Sequence, residues 1–134
     1  MSVVEQMLDT HPARRGLGVD QRLRACIEAC GRCAQACTLC ADACLGEPEV
    51  ADLVGCVRSN LNCAQLCEAT QRVLSHRTEG DETLVRALLK ACAEACRMCG
   101  EECERHAERH EHCWVCAEAC RRCESACREL LAAL

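Results

Sequence analysis

The cysteines between Cys26 and Cys44 constrain the fold of this chain more than any other feature. Six of them follow one another at intervals of four, three, four, three and four residues: Cys26, Cys30, Cys33, Cys37, Cys40 and Cys44. An α-helix has about 3.6 residues per turn, so this spacing places all six thiols on one narrow face. A β-strand would divide them between two faces, because its side chains alternate with a period of two. The spacing therefore predicts a helix that carries a continuous row of thiols.

The same spacing returns in three later segments. Their thiols are Cys56, Cys63 and Cys67, then Cys92, Cys96, Cys99 and Cys103, and finally Cys113, Cys116, Cys120, Cys123 and Cys127. Asn60 takes the stripe position between the first two thiols of the second segment. The third row continues through His106 and His110, and His112 directly precedes the fourth row. Four helices with the same thiol stripe are therefore predicted.

Capping residues indicate where these helices begin and end. We expect the first from Asp20 to Gly46, the second from Pro48 to Ser75, the third from Asp81 and the fourth after His112. Aspartate is a favourable N-cap, glycine often follows a helix C-terminus, and proline suits a first helical turn.

Short connections between long helices favour antiparallel neighbours. The sequence therefore predicts an all-α chain, an antiparallel up-down-up-down four-helix bundle with a short N-terminal helix. We expect one domain over residues 1–134, in which residues 20–134 form the bundle and residues 1–19 form a docking segment. The predicted docking helix has one apolar face, made of Val3, Val4, Met7 and Leu8, and a linker with Pro12, Gly16 and Gly18 follows it.

Composition excludes several classes of partner. The net charge is −5 without a basic cluster, and Trp114 is the only aromatic residue of the Phe, Trp and Tyr group, so a nucleic acid partner is not expected. No run of 18 apolar residues exists, so no membrane span is expected. The N-terminal residues lack the pattern of an export signal, which predicts a cytoplasmic protein with reduced thiols.

The cysteine content alone would suggest a secreted disulfide scaffold, since 18 of 134 residues are cysteine. Two observations argue against this interpretation. The chain shows no export signal, and neighbouring thiols on one regular helix point in nearly parallel directions, which is poor geometry for a disulfide. We therefore expect the thiols to bind metal.

Soft thiolates select Cu(I), zinc or iron–sulfur clusters. The compact cysteine run of iron–sulfur proteins is missing, and the C-x2-C pairs here lie inside continuous rows rather than in separate zinc knuckles. A monovalent ion that replaces each thiol proton also keeps a buried core neutral. The rows therefore favour several Cu(I) ions per chain, about one for each cysteine, held by bridging thiolates.

The two ends of the predicted bundle differ in chemistry. One end collects potential metal ligands, and we call it the mouth: Cys44, Cys56, Asn60, His106, His110, His112 and Cys113. The other end collects aliphatic side chains, and we call it the apolar plug: Val19, Leu23, Leu74, Val85, Leu88, Leu89, Leu130 and Leu131. We expect copper to enter and leave at the mouth, with imidazole as an intermediate ligand.

These rows of C-x3-C-x2-C on four helices, with three histidines near one end, resemble the bacterial copper storage proteins over roughly residues 20–130. Exported members of that family carry a leader peptide and tend to use methionine at the open end, so this chain resembles the cytosolic branch. The resemblance implies a homotetramer of bundles, each of which stores many Cu(I) ions. It also implies that the histidines and Asn60 help to admit copper.

The expected function is reversible cytoplasmic storage and detoxification of Cu(I), without enzymatic activity. All eighteen cysteines, the three mouth histidines and Asn60 are candidate ligands. One alternative keeps the binding function but changes the ion, to zinc or cadmium. The other is a thiol redox protein, although no C-x2-C pair in the sequence stands out from the others as a reactive one.

Overall fold

The computed structural model describes residues 1–13 and 17–134, and the side chains of residues 17–20 lie outside the described part. The helices are α1 (Val3–Thr10), α2 (Leu17–Leu45), α3 (Val54–Leu74), α4 (Glu82–His106) and α5 (Glu111–Ala133), with a 3-10 turn at Val50–Leu53. Each of the four long helices packs against two others, α2 and α4 each contacting both α3 and α5. Consecutive long helices are joined by short connections, so they run up-down-up-down as predicted. No helix among the described residues is both long and apolar enough to cross a bilayer.

The starts of α2 and α5 differ from the predicted ones. Helix α2 begins at Leu17, three residues before the predicted start at Asp20. The side chain of Asp20 and the predicted linker residue Gly16 lie outside the described residues. Gly18, also assigned to the linker, is part of the helix. Helix α5 begins at Glu111 with His110 as its N-cap, so it starts before His112 rather than after it.

The connection between α2 and α3 is longer than predicted. Pro48 was expected in the first turn of the second helix, but residues 46–49 form a turn and α3 begins only at Val54. Hydrogen bonds with a spacing of three residues tighten this segment, for example from the Val50 N–H to the Glu47 carbonyl at 3.2 Å. The tighter turn brings Leu53 into the core, where it is 1% exposed.

The predicted cap of α4 is confirmed. The Asp81 carboxylate accepts a hydrogen bond from the Leu84 N–H at 3.2 Å, which satisfies one free donor of the first turn. At the other end of α2, Gly46 follows the last helical residue as expected, and its N–H donates to the carbonyls of Asp42 and Ala43.

The thiol stripes face one another across the bundle axis. Every cysteine is at most 2% exposed, so the sulfur atoms form the centre of the core. The opposite faces carry Arg and Glu side chains, which form ion pairs three or four residues apart, such as Arg105 with Glu102 and Arg128 with Glu124. Each long helix thus has a thiol face and a solvated face.

The apolar plug closes the end opposite the mouth. Leu23, Leu74, Leu89 and Leu130 are buried there at 3% exposure or less, while Val85 and Leu131 are partly buried and pack against them. Val19, predicted for the same end, has a side chain outside the described residues.

Helix α1 docks on α2 through half of its predicted apolar face. Val4 and Leu8 pack against the core, one turn apart on the same side of the helix. Val3 and Met7 form the neighbouring row and are exposed, so the prediction for these two residues is wrong. Polar contacts accompany the packing, including a hydrogen bond of 2.5 Å from the Ser2 hydroxyl to Glu28.

The apolar plug should account for much of the stability of the metal-free protein. We predict that Leu89→Ala lowers the free energy of unfolding by about 2–5 kcal/mol, because Leu89 is fully buried and its removal leaves a cavity. Leu84→Ala on the same helix is the matched control and should change it by no more than about 0.5 kcal/mol, since Leu84 is half exposed. Urea unfolding of the reduced protein, followed by circular dichroism, measures both. Equal changes in the free energy of unfolding for the two variants would contradict a stabilising role of the apolar plug.

Candidate metal centre

The eighteen sulfur atoms form a continuous column along the bundle axis. Contacts between helices link the rows at many levels, with 3.6 Å between the sulfurs of Cys123 and Cys30 and 3.7 Å between those of Cys67 and Cys96. Contacts within a row, such as 3.9 Å between Cys33 and Cys37, continue the column along each helix. Helix geometry therefore brings every predicted thiol to the same axis.

All eighteen cysteines are free thiols. Their sulfur–sulfur contacts of 3.6–4.0 Å are far longer than the 2.05 Å or so of a disulfide bond. This observation supports the interpretation of the cysteines as metal ligands and speaks against a disulfide scaffold.

Sets of four sulfurs lie within 4.8 Å of one another at several levels of the column. These sets include Cys30, Cys92, Cys123 and Cys127; Cys33, Cys63, Cys67 and Cys96; Cys33, Cys37, Cys63 and Cys120; Cys37, Cys99, Cys116 and Cys120; and Cys40, Cys44, Cys56 and Cys113. Neighbouring sets share members, since Cys33 and Cys37 each belong to two of them. In a closed structural zinc site, four ligands bind a single ion. Shared sulfurs instead favour ions joined by bridging thiolates.

At the mouth, burial keeps the thiols of Cys44 and Cys113 protonated when no metal is bound. Desolvation raises the pKa of Cys44 to about 11, and the same cause raises the pKa of Cys113 above its usual range. A buried thiolate without a positive partner is costly. A metal ion that binds these two thiols must therefore displace their protons.

Asn60 lies inside the column rather than at its rim. Its side chain is fully buried, and its Oδ1 accepts hydrogen bonds from the thiols of Cys99 at 3.0 Å, Cys116 at 3.3 Å and Cys103 at 3.5 Å. Its amide donates to the Cys56 sulfur at 3.8 Å. Asn60 thus connects the mouth sulfurs with the next level of the column.

The mouth brings together thiols from three helices. Cys40 and Cys44 of α2, Cys56 of α3 and Cys113 of α5 form one four-sulfur set. The Nδ1 atom of His112 lies 3.4 Å from the Cys40 sulfur and 3.7 Å from the Cys113 sulfur. Cys40 was not predicted for the mouth, because the helical spacing gives its height on α2 but not the register of α2 against α5.

A carboxylate that sequence reasoning missed holds two of the histidines. Glu47 Oε2 accepts from Nδ1 of His110 at 2.8 Å and from Nε2 of His112 at 2.9 Å, and the two imidazole rings stack with centroids 5.5 Å apart. The hydrogen bond from His112 holds the pKa of the Glu47 carboxyl below its usual range. Glu47 belongs to the α2–α3 connection, outside every periodic pattern, so no spacing rule points to it.

His106 lies at the end of the α4 row, as predicted. Its Nε2 lies 3.4 Å from Glu102 Oε1, one helical turn back. Within the described part of the chain the structure gives this ring no sulfur partner, so its role as a ligand stays a prediction. His11 and His76 lie outside the long helices.

Thr70 occupies a stripe position that the sequence reasoning overlooked. It follows Cys67 by three residues and is fully buried, but its hydroxyl donates to the Leu66 carbonyl at 2.7 Å. The hydroxyl is therefore satisfied by its own helix. Thr70 marks the transition from the thiol column to the apolar plug.

The fold and the site define a class of protein: a helical bundle that binds many soft metal ions through a shared column of thiols. The chain belongs to the copper storage protein family, whose model matches residues 19–132. This match confirms the copper storage function predicted from the thiol rows. No curated protein sequence matches the chain significantly.

Solved structures agree with the family. The chain is 57% identical to the copper storage protein of Streptomyces lividans loaded with 10 copper equivalents, with 98% of this chain and 100% of that chain covered and a TM-score of 0.95. A structure of the cytosolic copper storage protein from the same organism with five coppers is 59% identical, covers 89% of this chain and 99% of that chain, and has a TM-score of 0.87. The Cu(I)-bound copper storage protein BsCsp3 is 35% identical, covers 81% and 97%, and has a TM-score of 0.73. These matches confirm the four-helix bundle.

The raised pKa values of Cys44 and Cys113 predict a metal-free protein that loses stability in alkali. Unfolded thiols ionise near pH 8.5 or so, whereas Cys44 in the folded protein ionises near about 11. The stability gained from a raised pKa is complete below the unfolded value and is lost as the pH rises through the folded value, so the urea midpoint should fall between about pH 8.5 and 11.

The composition makes this measurement specific. The chain has no Tyr and a single lysine, Lys90, so the thiols dominate titration in this range. A Lys90→Arg variant should show the same fall as the wild type. A midpoint that stays constant or rises would contradict protonated buried thiols.

Proposed function

We propose that this chain stores Cu(I) reversibly in the cytosol, for storage and detoxification, and has no enzymatic activity. One observation carries the proposal: in the middle of the column neighbouring groups of four sulfur atoms share members, and sulfur–sulfur contacts of 3.6–4.0 Å continue the column towards both ends. Such a column provides capacity for many ions and has no single reactive centre. The related proteins of known structure are described as copper storage proteins, one of them as cytosolic and another as Cu(I)-bound.

The buried, uncharged surroundings favour a monovalent ion. Each Cu(I) that replaces one thiol proton leaves the net charge of the column unchanged. Zn²⁺ at the same ratio would add one positive charge per thiol to a core from which water is excluded, at a high desolvation cost. Cu(I) is also satisfied by two or three soft ligands, which suits bridging thiolates.

The proposed ligands are the eighteen cysteines of the column together with polar groups at and below its mouth. They are Cys26, Cys30, Cys33, Cys37, Cys40, Cys44, Cys56, Cys63, Cys67, Cys92, Cys96, Cys99, Cys103, Cys113, Cys116, Cys120, Cys123, Cys127, His106, His110, His112 and Asn60. Thiols hold the stored ions, while the histidines and Asn60 transfer copper between solvent and column. In this proposal residues 20–134 are the storage domain and residues 1–19 dock against it.

An exposed apolar face supports the assembly of several copies, and we propose the homotetramer that the family resemblance implies. Val54 and Leu61 on α3 and Leu45 at the end of α2 are each about half exposed. Together with Val50 and Val57 they line one surface groove. An apolar patch of this kind is typical of an interface between subunits. Sedimentation velocity of the reduced protein should give a tetramer, and a monomer at micromolar concentration would contradict this part of the proposal.

Cu(I) titration tests the proposed function. The reduced protein should take up many equivalents, up to about one per cysteine, against a competing Cu(I) chelator, and should release about one proton per thiol. Since binding displaces protons, the apparent affinity should rise with pH, about tenfold per unit for each proton released.

The same titration separates the competing ions. Zn²⁺ at modest excess should not displace the bound Cu(I). Saturation with one or two copper ions would refute storage, and displacement by zinc would favour a zinc- or cadmium-buffering protein instead.

A further inference from the structure

An exposed apolar group lies beside the mouth. Leu39 directly precedes Cys40, and Trp114 and Val115 directly follow Cys113. The sulfurs of these two cysteines are 4.0 Å apart, so the three apolar residues lie at about the same height of the bundle. Their exposed fractions are 64% for Leu39, 54% for Trp114 and 51% for Val115. We call Leu39, Trp114 and Val115 the rim patch.

The rim patch is separate from the apolar face that we propose for the assembly of copies. That face belongs mainly to α3, whereas two of the three residues of the rim patch belong to α5. Because α2 and α4 each contact both α3 and α5, the helices α3 and α5 lie diagonally opposite in the bundle. The proposed assembly of copies therefore leaves Trp114 and Val115 available to another partner.

Carboxylates surround the rim patch. Glu111 and Glu118 lie three residues before and four residues after Trp114, so the three side chains share one face of α5. Glu108, in the connection before α5, is exposed like these two glutamates. Within the part of the chain that the structure describes, none of the three carboxylates forms an ion pair.

The same imbalance of charge holds for the whole end of the bundle around the mouth. Residues 42–55 and 100–118 contain 10 carboxylates and 2 arginines, whereas the rest of the chain contains 11 carboxylates and 14 lysines or arginines. With neutral histidines, the mouth end has a formal charge of −8 and the remainder has +3, which gives the net charge of −5. Such a field attracts cations and repels anions over about 10 Å at 0.1 M salt.

These features fit a positively charged protein surface. An aromatic ring between two carboxylates can bind a lysine or arginine side chain through cation–π and ionic contacts. Tryptophan is also enriched among the residues that contribute most to protein interfaces. Every cysteine is at most 2% exposed, so a copper carrier has to approach the mouth closely before its ion can reach the column.

We propose that the rim patch and the carboxylates around it dock a positively charged protein that carries Cu(I) on thiolates, and that the mouth disfavours anionic copper complexes. This inference rests on the proposed function, since it assumes that Cu(I) is the cargo. The transfer is a ligand exchange in which copper keeps its oxidation state. Cu(I) leaves two thiolates of the carrier and binds two thiols of the column, whose protons pass to the carrier.

The first test compares two copper donors that differ only in charge. Two synthetic peptides share a C-x2-C core loaded with Cu(I) and a fluorescent label that bound copper quenches, and either lysines or glutamates flank the core. Stopped-flow fluorescence measures transfer to the reduced protein. At low ionic strength, transfer from the lysine peptide should be at least about tenfold faster, and added salt should remove the difference because it screens the attraction.

Charge variants locate this preference on the surface. Glu111→Gln combined with Glu118→Gln should reduce the preference for the lysine peptide by about threefold or more. Glu79→Gln combined with Glu129→Gln is the matched control, because it changes the net charge equally at exposed positions of the opposite end. The control should keep the preference of the wild type.

Trp114 variants test the apolar part of the surface. Trp114→Ala should slow transfer from the lysine peptide by about fivefold or more, whereas Trp114→Phe should keep most of the rate because it keeps an aromatic face. Leu84→Ala, at a position of similar exposure on the opposite end, is the matched control and should leave the rate unchanged. Total copper capacity should stay the same in all variants, and circular dichroism verifies that each is folded.

The possible failures are distinguishable. Equal rates from the two peptides at low ionic strength, equal effects of the two pairs of charge changes, or an unchanged rate in Trp114→Ala would overturn this inference while storage stands. Shielding of Trp114 fluorescence from acrylamide in the metal-free protein would also overturn it, because the rim patch would then be an interface between copies. A wild-type protein that binds only one or two Cu(I) ions would instead overturn the proposed function.

Discussion

The structure depends on one geometric constraint, the convergence of four thiol rows on a shared axis. A spacing of three and four residues keeps each row on one face of its helix, and packing of α2 and α4 against both α3 and α5 turns all four faces inward. Thiol side chains are short, so the helices approach until their sulfurs are 3.6–4.0 Å apart. The core is thus both the packing element and the ligand set. Any residue on the stripe affects folding and metal binding at the same time.

This double role has a consequence for loading. A two-coordinate ion with metal–sulfur bonds of about 2.3 Å separates its sulfurs by about 4.6 Å, and a three-coordinate ion by about 4.0 Å. The present contacts of 3.6–4.0 Å match the three-coordinate case at their upper limit, and they are shorter than the two-coordinate case requires. The leucines of the apolar plug contribute no ligands, so they hold the bundle together while the thiol column changes its occupancy.

The column and its helices could be predicted from the sequence because periodicity within one helix is a local property. Positions such as Cys26 to Cys44 fix a face without any knowledge of the neighbours. The features that were missed depend on contacts between segments. Glu47 belongs to a connection without periodicity, and the pairing of Cys40 with His112 depends on the register of α2 against α5. The predicted helix start at Asp20 is wrong because a residue that favours the N-cap position can also lie inside a helix. This helix begins at Leu17. Val3 and Met7 show the same limit, because an apolar row on a short helix does not reveal which side contacts α2.

The most direct test of the central claim is a crystal structure of the copper-loaded protein with data collected at the copper absorption edge. Anomalous peaks should lie on the bundle axis, each between two or three cysteine sulfurs, with neighbouring ions sharing thiolates. Peaks confined to the surface, or cysteines cross-linked in pairs with no metal between them, would contradict the account.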